Sequence, residues 1–156
     1  MEYQIKAAFL YKFCLYVEWP PTAFSAADSP LVFGIAAPDD FIAELNTVLK
    51  NHTINDHPLQ VRRIDGGSDV SGVQLLFVAR SQQALLPQLR AQAQGLPLLL
   101  ITESERGLND GGVINFALQD NRVRFEVALD TANRQGLHLS AQLLKVARNV
   151  RGEAAP

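Results

Sequence analysis

A single cysteine, Cys14, among 156 residues excludes an intrachain disulfide, so the fold must rest on a packed core. The thiol itself reads as a small buried hydrophobe. No stretch approaches the roughly 20 consecutive apolar residues that span a bilayer, and the N-terminus lacks the basic segment, apolar run and cleavage site of a signal peptide. A large excess of one sign of charge is missing too. Fourteen basic against 16 acidic residues leave a formal charge of −2, with no overall positive field to draw nucleic acid or anionic lipid. Internal repeats and long low-complexity tracts are absent. The glycines form neither GxGxxG nor GxxxxGK[ST], which sets aside two common phosphate-binding loops.

What is present is 47% hydrophobic and 19% charged, ordinary for one globular domain able to bury a core. Residues 1–150 are expected to form that domain and 151–156 a flexible tail. The most informative stretch is 111–148. If Asp120 and Asn121 make a two-residue turn, counting outward pairs Gln119 with Arg122, Leu118 with Val123, Ala117 with Arg124, Phe116 with Phe125 and Asn115 with Glu126. Ile114, Phe116, Leu118, Val123, Phe125, Val127 and Leu129 then share an apolar face, while Asn115, Arg124 and Glu126 share the other. Downstream, Asp130 is expected to cap a short helix at 130–135 and Gly136 to take the left-handed position after it. Ser140 is expected to cap a last helix carrying Leu143, Leu144 and Val146.

Upstream, residues 2–18 read as a helix with an unusually wide apolar arc. Ile5, Phe9, Phe13 and Tyr16 form one stripe, and Leu10, Cys14 and Val17 an adjacent one. Such a helix is either sandwiched in the core or covered on its second side by another subunit. Trp19, an aromatic plug, is followed by Pro20 and Pro21, which end the helix. Residues 31–36 are almost continuously apolar, the pattern of a strand covered on both faces, and Pro38 with Asp39 introduces a helix that ends at Leu49. A polar loop at 51–57, a strand at 59–64, a glycine-rich link at 65–72 and a strand at 75–79 follow. Then come a helix at 81–94, interrupted or restarted at Pro87, and a strand at 98–102. The link is short for a crossover, yet parallel pairing is favoured. The expected fold is an α/β/α three-layer sandwich whose mostly parallel sheet ends in an antiparallel C-terminal hairpin.

Catalytic readings find little support. His52 and His57 lack i, i+4 helical spacing and have only Asp56 nearby, so they read as solvated loop residues rather than metal ligands. The loop at 103–112 follows a strand end, where open α/β sheets bind ligands. Its carboxylates Glu103, Glu105 and Asp110 are nonetheless expected to be solvated rather than tuned for acid–base work. Ser140, beside His138, has no glycine elbow and suits a helix cap, and Cys14 has no evident base. The chain therefore reads as a non-enzyme that needs no cofactor and no metal. A polar cluster remains: Asn115, Arg124, Glu126 and Arg134, with Lys12, Arg122 and His138 as neighbours. It is either a satisfied patch holding the hairpin to a helix or an interaction surface. In the second case charges select the partner and Trp19 and Leu137 supply an apolar rim.

Three separated motifs, KAAFLYKFCLYVEWP, GGVINF and RVRFEVALDTANRQGLHLSAQLLKVAR, resemble in content and order the bacterial family that contains YfiR and HmsC, over residues 6–148. None is a catalytic motif. The resemblance implies a periplasmic regulatory binding protein that represses a membrane diguanylate cyclase through the cyclase's periplasmic domain, lowering cyclic-di-GMP signalling and biofilm formation. It also implies a homodimer, and it leaves open a releasing outer-membrane lipoprotein. Disulfides carried by some relatives cannot form here. Because the first motif begins within a few residues of Met1, an export signal is expected to have been removed from this sequence. The expected partner-binding residues are Trp19, Asn115, Arg124, Glu126, Arg134, Leu137 and His138. The alternative is an extracytoplasmic sensor with a small-molecule pocket near the 103–112 loop.

Overall fold

Asp120 and Asn121 both sit at positive φ, 52° and 63°, the pair of left-handed conformations that a two-residue turn between twisted strands requires. That turn sets the register expected from the alternation: Gln119 faces Arg122, Phe116 faces Phe125 and Asn115 faces Glu126. The computed structural model describes residues 2–152, so 153–156 of the expected tail lie outside the described residues.

In chain order the elements are α1 (Glu2–Tyr16), β1 (Val17–Glu18), β2 (Leu31–Ala36), α2 (Asp39–Leu49), β3 (Thr53–Ile54), β4 (His57–Arg63), β5 (Leu75–Val78) and α3 (Leu86–Ala93). They continue with β6 (Leu99–Thr102), β7 (Ile114–Gln119), β8 (Arg122–Ala128), α4 (Leu129–Arg134), β9 (His138–Leu139), α5 (Ala141–Val146) and β10 (Asn149–Arg151). The described residues form an eight-stranded sheet of order β10-β8-β7-β6-β5-β2-β4-β3, and β1 pairs with β9 in a separate antiparallel ladder. Strands β4, β2, β5, β6 and β7 run parallel to one another; β8 returns antiparallel to β7, and β10 lies parallel to β8. Helices α1, α2 and α5 cover one face and α3 the other, giving the three-layer α/β/α sandwich. The short link after β4 does reach a parallel strand. It passes from one side of β2 to the other while burying Val70 and Val73 against the α3 face.

The wide arc of α1 divides. Ala7, Leu10, Phe13 and Cys14 are buried, and Phe9 packs on Phe116 and Phe125 with ring centroids 6.0 and 5.7 Å away. Ile5, Leu15 and Tyr16 stay exposed, so the first stripe is not wholly core. The helix also stops at Tyr16, because Val17 and Glu18 leave it to pair with β9.

Several local expectations need correction. Residues 51–57 are not simply a loop: Asn55 and Asp56 take positive φ and turn β3 back onto β4. Asp130 does not cap α4, which starts one residue earlier; its carboxylate accepts the Thr131 N–H instead. Val146 points to solvent on α5, whereas Ser140 caps that helix by accepting the Leu143 N–H at 3.3 Å. Arg151 belongs to a strand rather than a tail, since β10 gains a ladder partner in β8.

Candidate interaction site

On the hairpin face opposite the phenylalanines, the side-chain amide of Asn115 is fully engaged. Thr102 Oγ1 donates to its Oδ1 at 2.7 Å and the Ser104 N–H to the same oxygen at 3.1 Å. Asn115 Nδ2 donates to the Ser104 carbonyl at 2.9 Å and to Glu126 Oε1 at 3.3 Å. The other carboxylate oxygen of Glu126 lies 3.1 Å from Arg148 Nη2, and the Arg148 N–H donates to the Phe125 carbonyl at 2.8 Å. A polar line thus crosses the sheet from β6 to the residues that enter β10. Its inner end is buried, where an unpaired amide would be costly. At its outer end the Glu126 and Arg148 side chains remain 21% and 31% exposed, within reach of a partner.

The loop at 103–112 seals the inner end. A Cβ on Gly107 would collide with Asn115 and Thr102, and one on Gly112 would stand 2.5 Å from Thr102 Oγ1. Glycine is therefore required by close approach, and Ser104, Gly107, Leu108 and Gly112 are buried. The expectation of a solvated loop is wrong for this part of it. Glu103 is also withdrawn from water: it pairs with Lys6, and its Oε1 accepts the Arg80 N–H at 2.9 Å. Lys6 is buried in α1 and pairs with Glu2 as well.

The seven expected partner residues fall into three places. Asn115 and Glu126 share the polar line, with half-buried Arg124 facing Ala117 two residues before Glu126 on β8. Arg134 stands apart on α4, its side chain 70% exposed, with Nη1 3.8 Å from Asp130 Oδ2 and Nη2 donating to Thr131 Oγ1 at 3.2 Å. Trp19, Leu137 and His138 meet at the β1–β9 corner. There the indole N–H donates to the Gln74 carbonyl at 3.0 Å, and His138 faces Glu18. Leu137 is a core residue, 3% exposed, and so does not form an open rim. Lys12 is not a neighbour of Asn115, because α1 lies on the opposite face of the sheet.

Sequence reasoning missed Arg148, Lys6 and Gln74. Gln74 ties three segments: its side chain accepts from the Val32 N–H at 2.6 Å and donates to the Ala23 carbonyl at 2.7 Å, while its backbone carbonyl receives Trp19. Of the residues weighed for chemistry, His57 is not simply solvated. It stacks on Phe24 with centroids 3.9 Å apart, and its Nδ1 lies 2.6 Å from the Ser29 carbonyl oxygen. Burial pushes the Cys14 thiol well above its ordinary pKa, keeping it protonated and unreactive. Among the described residues no group of three or more His, Cys, Asp or Glu is placed to hold a metal ion, and no helix is long and apolar enough to cross a membrane.

Residues 3–148 match the family described as YfiR/HmsC-like. No curated protein matches the chain.

Proposed function

We propose, from the premise that the chain belongs to the YfiR/HmsC-like family, that it is a regulatory binding protein of diguanylate cyclase signalling rather than an enzyme. Its site of action in this reading is the periplasm, and its partner is the periplasmic domain of an inner-membrane diguanylate cyclase. Binding holds that receptor in its inactive state and so lowers cyclic-di-GMP and biofilm formation. The observation that carries the reading is the family match, which spans nearly the whole chain and includes every residue of the polar line.

The partner-facing surface is proposed on the outer end of that line and the adjoining helix, with Arg124, Glu126 and Arg134 as its charges and Trp19 with His138 at the β1–β9 corner. Asn115 acts there by positioning Glu126, and Leu137 by packing α4. Mixed charge suits a surface that selects its partner by register, while apolar contacts supply affinity. Self-association belongs to the same reading: a second copy covers the exposed Ile5, Leu15 and Tyr16 of α1. A releasing lipoprotein of the outer membrane would compete for the cyclase-facing surface. Immobilised protein should retain the cyclase's periplasmic domain from a membrane extract. Failure to retain that domain, when the purified domain is also offered at micromolar concentration, would refute the reading.

A further inference from the structure

The sheet order brings three arginines from three separate elements to one concave place. Arg90 comes from α3, Arg134 from α4 and Arg151 from β10, and they line a cleft of about 730 Å³ in which Asp130 is the one acidic lining residue among the described residues. That carboxylate, 3.8 Å from Arg134 Nη1, offsets one of the three positive charges and leaves the described lining with a net positive charge. Arg151 donates to the neutral amide oxygen of Asn109 at 2.6 Å, a bond that leaves its charge uncompensated. The Arg90 side chain has no hydrogen bond or ion pair among the described residues. Its stem lies across Gly111, at φ +106°, where a Cβ would stand 2.9 Å from Arg90 Cδ and Nε. The bare backbone of Gly111 thus leaves room for the arginine on the wall of the cleft.

Positive charge is concentrated in this part of a chain whose formal charge is −2. From residue 122 to residue 151 six basic side chains stand against Glu126 and Asp130, and two of the six, Arg134 and Arg151, line the cleft. A concave wall with a net positive charge focuses its field and raises the local concentration of anions. Guanidinium groups also present planar forks that match carboxylate and phosphate oxygens two at a time. The volume falls in the range of small-molecule sites, about 300–1,000 Å³.

We propose that this cleft binds a small multivalent anion, a phosphate ester or a polycarboxylate, gripped between Arg90, Arg134 and Arg151. The concavity favours a small molecule over an extended protein segment, and the site stands independently of the regulatory reading. Arg134 is shared with the proposed partner surface, so the test rests on Arg90 and Arg151, which are not.

The full chain is titrated calorimetrically at low ionic strength with inorganic pyrophosphate and, separately, with citrate; sodium chloride at matched ionic strength is the control. Saturable binding of one anion per chain is expected for at least one of the two and none for chloride, and the tighter arm distinguishes phosphate from carboxylate. Arg90→Gln and Arg151→Gln should each raise the dissociation constant about tenfold or more, as loss of a charge-assisted hydrogen bond does. Their melting temperatures should stay near that of the parent, because both residues are exposed. If Arg151→Gln disturbs β10, Arg90→Gln alone decides. No saturable binding at millimolar anion, or binding unchanged in folded Arg90→Gln, overturns the proposal.

Discussion

Glu103→Ala strips Lys6 of the more buried of its two carboxylates. The Lys6 side chain is 4% exposed and that of Glu103 13%, whereas Glu2, the partner left behind, is 45% exposed. An ammonium in such a place keeps its desolvation penalty after losing the matching attraction, and breaking a buried pair this way costs about 3–5 kcal/mol. Glu2 retains part of the attraction, which puts the expected loss at the lower end, about 3 kcal/mol. For a chain of this size that lowers Tm by roughly 6–12 °C. The companion variant Lys6→Met/Glu103→Ala removes both charges. Methionine fills the volume of the lysine stem beside Phe116, and stability should return to within about 1 kcal/mol of the parent. Urea denaturation of the three proteins with a shared m value reads both numbers. A loss below about 1 kcal/mol for Glu103→Ala, the size typical of an exposed pair, refutes the buried ion pair as described. So does a double variant no more stable than the single one.

The hairpin register gives a second contrast: Phe125→Ala should cost about 3–5 kcal/mol, because the ring is buried against Phe9 and Phe13, while Arg122→Ala at the exposed turn should stay within about 0.5 kcal/mol. Equal losses would mean that the two faces are misassigned. Cys14, protonated and buried, should resist a thiol reagent at mildly alkaline pH in the native protein and react fully in denaturant; fast native labelling contradicts its placement. Sedimentation equilibrium should show a dimer that Leu15→Glu dissociates, and a parent that stays monomeric at micromolar concentration removes the proposed role of the exposed α1 face.

The hairpin was legible in the sequence because strict alternation and an Asp-Asn turn specify register locally, without help from the rest of the chain. The same holds for α2, bounded by Pro38, and for the helix restarted at Pro87. The Asn55-Asp56 turn carried the same kind of signal as Asp120-Asn121 but stood between strands too short to show a period. Other features depend on distant partners. Lys6 interrupts an apolar helix and looks like a solvated residue until Glu103, 97 positions away, is placed beside it. Arg148 gains its role from Glu126, and β10 exists only because β8 offers it a free edge. The loop at 103–112 looks polar in composition, yet its glycines let it pack onto Asn115, which no local pattern announces. The candidate surface was therefore half legible: its hairpin residues followed from register, while their separation from Arg134 and the burial of Leu137 came from tertiary packing.

Arg134 offers the cleanest test of repression. Reversing Glu126 would set a lysine against Arg148 and loosen Asn115, mixing stability with binding. Arg134 is 70% exposed and only loosely paired, so Arg134→Glu should change folding stability by about 0.5 kcal/mol or less, while charge reversal at an interface costs several kcal/mol of binding. The measurement is cyclic-di-GMP in bacteria that carry the cognate cyclase and express either the parent chain or Arg134→Glu at equal level. The account predicts that the parent lowers cyclic-di-GMP and that the folded variant leaves it raised. Cyclic-di-GMP held equally low by both proteins, with unchanged melting temperatures, would contradict it.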